Sequence, residues 1–172
     1  TPTQEDVQAI NARLVTEIDR HYTAGRKRPN ASPAEALAQG RATCTGLTIL
    51  YVDACRSVGI PARAAGVAKW HDDRGNHTWP EIWDGERWRF TGADEYDKKG
   101  LDRGWFANDA SKAKSAKDGD IQHAVWASSW KATGAYFPLV WNRKHRGVHA
   151  VEVTRRYAAA NETSLESLGA NG

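Results

Sequence analysis

A chain of 172 residues, 40% hydrophobic and 26% charged, has room for one domain with a substantial core and the composition of an ordinary globular protein. Its net charge of +3 arises from 24 basic residues scattered among 21 acids, which excludes the gathered basic face of a dedicated nucleic-acid binder. No apolar run approaches the roughly 20 residues of a membrane span, so no membrane partner is expected.

The first elements are helices. Thr3 and Asp6 resemble a capping box, and Val7, Ile10, Leu14 and Ile18 recur at helical spacing, with Gly25 as the expected stop. A polar loop over 26–31 contains the one tight basic run, Arg26-Lys27-Arg28. Ser32-Pro33-Ala34-Glu35 is a stronger start signal, with Ser as N-cap, Pro at the first position and Glu at the third. That short helix is expected to end at Gly40. Over 44–58, Leu47, Leu50, Tyr51, Ala54, Cys55 and Val58 form a broad apolar stripe that Gly59 and Pro61 close.

From Ala62 the period changes. Residues 62–70, 77–83 and 87–91 read as strands, with Asp84-Gly85-Glu86 as a hairpin turn and Pro80 suggesting an edge or a bulge. Residues 96–120 read as a long loop with a helical turn, and 121–130, 136–141 and 148–154 as three further strands. From Ala158 the chain reads as a frayed helix or linker, so 1–157 is the expected domain and 158–172 a tail. Helices first and strands later indicate an α+β fold, with a helical layer packed on an antiparallel sheet. The sequence has no Met, so Thr1 is not a translation start. A processed protein or an excised fragment is expected, with a periplasmic or secreted location if an export signal lay upstream.

The chemistry-bearing residues stand in the order Cys44, His77, Asp94-Glu95. Cys44 lies at the N-terminal end of the 44–58 helix, where the helix dipole favours thiolate. Gly46 lets backbone approach a substrate closely, and the unpaired N–H groups of the first turn can cradle an oxyanion, worth about 3–4 kcal/mol per donor. Gln39 is a further candidate donor. His77 opens a strand, and the acid is expected at the end of its hairpin partner, within cross-strand reach. Cys55 lies 11 residues after Cys44, about 16 Å along one helix, beyond the ~7 Å that a disulfide allows, so both thiols are expected free.

Each residue also has a bland reading: Cys44 as a small hydrophobe, His77 as a structural strand residue, Asp94-Glu95 as a solvated strand end. Trp70, Trp79 and Trp105, three of eight Trp residues, either wall a substrate groove or fill the core. His71, Asp72, Asp73 and His77 have a loosely metal-like look, but Asp72-Asp73-Arg74-Gly75 reads as a turn. No metal and no cofactor are expected, and His123 and His149 are expected to be packing or surface residues. Spacing alone leaves the functional and bland readings open.

Gly40-Arg41-Ala42-Thr43-Cys44-Thr45-Gly46, followed by Tyr51-Val52-Asp53-Ala54-Cys55-Arg56-Ser57-Val58-Gly59-Ile60-Pro61-Ala62-Arg63, resembles the nucleophile helix of the transglutaminase-like superfamily. Asn76-His77-Thr78-Trp79-Pro80-Glu81-Ile82-Trp83-Asp84-Gly85-Glu86-Arg87-Trp88 resembles that superfamily's His strand and hairpin. The resemblance implies a transglutaminase-like, papain-like fold with Cys44 as nucleophile and His77 as base. The family's usual Asp position falls here on Gly92. Strand parity from Trp88 points to Asp94 as third member, whereas a bulge at Gly92 points to Glu95. Bacterial relatives are protease-like, and no acidic calcium loop of the animal transglutaminase kind is evident. The resemblance therefore implies a thiol-dependent hydrolase of peptide or isopeptide bonds, acting on a peptide or protein. Transamidation, an arylamine-type acyl transfer, and an inert Trp-rich module binding peptide or glycan are the alternatives.

Overall fold

The computed structural model describes residues 3–18, 22–25, 27–118 and 121–159. Two compact units emerge, one comprising Thr1–Ala64 and Thr78–Gly104, the other Ala65–His77 and Trp105–Gly172. The strands follow the order β3-β2-β1-β4-β5, with antiparallel β2/β3, β1/β4 and β4/β5 ladders. With the helices, this is the expected α+β arrangement.

The first unit is built around α3 (Cys44–Ser57), against which α1 (Gln4–Ile18) and α2 (Pro33–Gln39) pack. The starts of all three helices follow from local chemistry. Thr3 and Asp6 exchange hydrogen bonds, the Asp6 N–H donating to Thr3 Oγ1 and the Thr3 N–H to Asp6 Oδ2. Ser32 and Glu35 form a full capping box, and Gly40, at φ 62, ends α2. Thr43 caps α3 by accepting from the Gly46 N–H. Leu47, Leu50, Tyr51, Val52 and Cys55 of α3 meet Val7, Ala36, Ile60, Ile82, Ala93 and Leu101 in one core cluster. Val58, expected in the stripe, is 64% exposed, because it is already the C-terminal cap where the helix unwinds. The first helix is described as far as Ile18, and by Tyr22 the chain is bridged to Ala42, so the helix does not reach the expected stop at Gly25.

The β2 (His77–Trp83) and β3 (Trp88–Phe90) hairpin pairs Trp83 with Trp88, Ile82 with Arg89 and Glu81 with Phe90. Its turn is held by Asp84, whose Oδ1 accepts from the Glu86 and Arg87 N–H groups, with Gly85 at φ 108. Contrary to the expectation from Pro80, β2 is an interior strand, and Pro80 is fully buried. Its ring removes one donor, but its carbonyl still accepts from the Thr91 N–H at 3.2 Å. Both faces of β2 are buried, so Glu81 lies inside and pairs with Arg63 at 2.7 Å.

In the second unit, β1 (Ala62–Val67) pairs through Ala65, Gly66 and Val67 with β4 (Val125–Ser128), and β4 pairs with β5 (Ala150–Glu152). The expected strand at 136–141 is reduced to a single bridge between Tyr136 and His149. Pro138 explains this, because it has no N–H with which to extend a ladder past Phe137. The 96–120 segment contains α4 (Ala107–Ser111) and a 3-10 turn, Ala116–Asp118. Residues 154–159 form a further helical segment, α5, and the remainder of the expected tail, 160–172, lies outside the described residues.

Candidate active site

Cys44 is the first residue of α3 and is half-buried. The cap residue before it is anchored twice: Thr43 Oγ1 accepts from the Gly46 N–H at 3.1 Å, and its hydroxyl donates to the Pro29 carbonyl at 2.7 Å. The helix is tied to the start of β2 by threonines. Thr45 and Thr78 hydroxyls lie 3.1 Å apart, and the Thr48 hydroxyl donates to the Thr78 carbonyl at 3.1 Å.

Burial pushes the Cys44 thiol above the ordinary range; the Thr78 backbone, then the Thr45 hydroxyl and backbone, oppose that rise, and the charge of Glu95 adds to it. The net direction is opposite to the lowering expected from the helix dipole, with desolvation the largest cause. Gly46 also has a different role from the expected one. A Cβ there would lie 2.8 Å from Ala42 Cβ, and its N–H is occupied by Thr43. Gly46 is therefore required for packing, and it is not a free oxyanion donor. Gln39 donates from Nε2 to the Glu35 carbonyl within α2 at 3.0 Å. Cys55 is fully buried, and both thiols are free, as the helix geometry requires.

His77 opens β2 with its side chain buried. Its ring centroid lies 4.8 Å from that of Trp105, 5.0 Å from Phe106 and 6.3 Å from Trp70. This aromatic surround lowers the imidazole pKa to about 4 by desolvation, so His77 is neutral at neutral pH. Trp70 is buried, whereas Trp105 is 56% exposed. Trp79 is completely buried, a core side chain with no face open to solvent.

The acid lies in a turn and not at a strand end. β3 stops at Phe90, so strand parity from Trp88 does not extend to Asp94. Asn11 of α1 is buried among the turn residues: its Nδ2 donates to the Gly92 carbonyl at 2.8 Å and to Thr91 Oγ1 at 3.4 Å, and its Oδ1 accepts from the Asp94 N–H at 3.4 Å. Asp94 has φ 74, a left-handed conformation that is uncommon outside glycine. A Cβ on Gly92 would lie 2.5 Å from the Glu95 carbonyl oxygen, so only glycine fits. Glu95 is half-buried, and burial together with the charge of Asp94 pushes its carboxyl up to about 7.

The 72–75 segment is the expected turn, with the Asp73 N–H donating to the Trp70 carbonyl. His71 and Arg74 both reach Asp109, and Asp73 meets Lys69 and His123. His149 stacks on Tyr136. Among the described residues, no group of three or more His, Cys, Asp or Glu side chains is arranged to hold a metal.

Sequence reasoning missed Asn11, Thr78 and Phe106. Only Asn11 carried a signal, a polar residue four after Val7 on the buried side of an amphipathic helix.

The sequence profile of the transglutaminase-like superfamily matches residues 1–110. No curated protein matches the chain. Among solved structures, a candidate cysteine protease from Cytophaga hutchinsonii is similar at 22% identity and a TM-score of 0.45, over 58% of this chain and 34% of that one. LapG from Legionella pneumophila, solved after EGTA treatment, is similar at 15% identity and a TM-score of 0.48, over 76% of this chain and 66% of that one. The chain thus spans less than two thirds of either neighbour. The family profile covers α3 with Cys44, β2 with His77 and the 91–95 turn, and by that match the chain belongs to the transglutaminase-like superfamily.

Proposed function

We propose that this protein is a thiol-dependent acyl-transfer enzyme that hydrolyses peptide or isopeptide amides, with Cys44 as nucleophile, His77 as base and Asp94 as the group that orients His77. Glu95 is the alternative orienting acid. The observation that carries this reading is the setting of the thiol: it begins a doubly anchored helix and takes stabilisation of its anion from the Thr78 backbone, the residue after His77 in the chain. Superfamily membership supports it.

Burial raises the thiol and lowers the imidazole, so the resting pair is neutral thiol and neutral imidazole. Proton transfer then accompanies attack. Cys44 Sγ bonds to the amide carbonyl carbon as its proton passes to His77. The imidazolium next gives that proton to the departing amine as the C–N bond breaks. Water, deprotonated by the same imidazole, releases the acid from the acyl-thioester. An amine in place of water would give transamidation.

The test is a panel of peptide and isopeptide substrates, run with and without an added primary amine, and mass spectrometry of the acylated protein. Amide cleavage with a transient acyl adduct on Cys44, lost in Cys44→Ala with stability within ~1 kcal/mol of wild type, is the expected result. Turnover retained in Cys44→Ala, or no adduct at Cys44 under conditions that acylate a general cysteine hydrolase, would overturn the assignment.

A further inference from the structure

We infer that Asn11, on a helix far from the motifs, is a positioning residue of the catalytic machinery: its buried amide sets the turn that carries the orienting acid. This rests on the functional reading above. Two features of the turn call for an external clamp. Asp94 is held at φ 74, in the left-handed region that Asp enters more readily than most side chains but that stays fixed only where the surroundings hold it. The backbone also doubles back so tightly that Gly92 has no room for a Cβ beside Glu95.

The clamp is Asn11. It is 1% exposed, and its one amide engages three groups of the turn: the Thr91 hydroxyl, the Gly92 carbonyl and the Asp94 N–H. A buried amide at the position of an apolar helix residue is costly unless its donors and acceptor are used. Here the donor side meets Gly92 and Thr91 while the acceptor side meets Asp94, and no hydrocarbon side chain of that size can do both. Leu14, one turn later on the same helix, packs instead against the apolar core cluster. Asn11 thus transmits the placement of α1 to the backbone of Asp94, and through it to whichever carboxylate of this turn orients His77.

A clamp and a merely stabilising buried amide make different predictions for the imidazole. A carboxylate partner holds neutral His77 in a single tautomer, and its loss allows both. The ¹⁵N shifts of His77 at neutral pH report the tautomer ratio without any substrate. The measurement is made on full-length wild type, Asp94→Asn, Glu95→Gln, Asn11→Ala and the volume-matched Asn11→Leu, with a melting temperature for each. Expected is one tautomer in wild type, a mixture in one of the two carboxamide variants, and a mixture in both Asn11 variants below their melting temperatures, with kcat reduced about 10-fold or more and KM little changed. A lowered melting temperature with the single tautomer and kcat preserved would overturn the positioning role while leaving the functional reading intact. A wild-type mixture, or a single tautomer in both Asp94→Asn and Glu95→Gln, would overturn the acid-oriented histidine itself, and the role of Asn11 with it.

Discussion

Glu95→Gln should make the protein more stable at alkaline pH and leave it unchanged at acid pH. The folded state raises the Glu95 carboxyl from its ordinary 4.5 to about 7, chiefly by burial and then by the charge of Asp94. The unfolded chain restores the ordinary value. Between these two values the folded state holds a proton that the unfolded state has released, so stability falls as pH rises from about 4.5 to about 7. A full shift of that size, at about 1.4 kcal/mol per tenfold change in proton affinity, corresponds to about 3 kcal/mol. Partial solvent access to the half-buried side chain brings this to about 2 kcal/mol. Glutamine keeps the shape and does not titrate. Urea unfolding of both proteins at about pH 4.5 and about pH 8.5 isolates the term, because the other titrating groups cancel in the difference. The stability gained by Glu95→Gln should be near zero at the lower pH and about 2 kcal/mol at the higher. Since the Glu95 charge also raises the Cys44 thiol, alkylation of Cys44 at the higher pH should be faster in the variant. A stability difference that is flat across this window would show that Glu95 ionises normally in the fold, and the desolvation argument would be wrong.

Two further substitutions test the scaffold. Thr43→Ala removes the cap acceptor for the Gly46 N–H and the hydroxyl that donates to Pro29, and should lower urea-unfolding stability by about 1–2 kcal/mol, with the Cys44 end of α3 exchanging its amide hydrogens faster. Arg63→Met removes the guanidinium that pairs with buried Glu81 and should destabilise by about 3–5 kcal/mol; adding Glu81→Leu should recover most of that loss, and an additive double variant would refute the pairing.

What could be read in advance follows the range of the interactions. The starts of α1 and α2 were legible because a cap and its partner sit three residues apart, as in Thr3 with Asp6 and Ser32 with Glu35, whereas α3 was legible from its apolar stripe and its Thr43 cap emerges only in the structure. The hairpin was legible because Asp84 and Gly85 build their own turn. The burial of both faces of β2 was not, because alternation along 77–83 cannot reveal that a strand is interior to the sheet. Trp79, open in the sequence between groove wall and core, is therefore a core residue, and Glu81 beside it on the strand is buried as well. Residues 136–141 have strand-like apolar content, yet Pro138 interrupts the ladder that composition suggested.

The position of the acid shows the same limit at the site itself. Within 91–95 the sequence offers two carboxylates and a glycine; strand parity points to Asp94 and a bulge at Gly92 to Glu95. The parity argument requires β3 to continue, and β3 ends at Phe90, where the Phe90 N–H donates to Asp102 Oδ1 and the Phe90 carbonyl accepts from the Asp102 N–H. Beyond that point backbone direction is set by Gly92 and by Asn11, some 80 residues earlier in the chain. A motif that arrives two residues late relative to a family pattern is therefore not evidence of decay when a turn with its own anchor takes up the extra length. The same reasoning makes residue 11 as informative as the motif: a chain that kept 91–95 but carried an apolar residue at 11 would lose the three hydrogen bonds that fix the Asp94 turn, and its acid should be poorly placed even with Cys44, His77 and both carboxylates of the proposed site present.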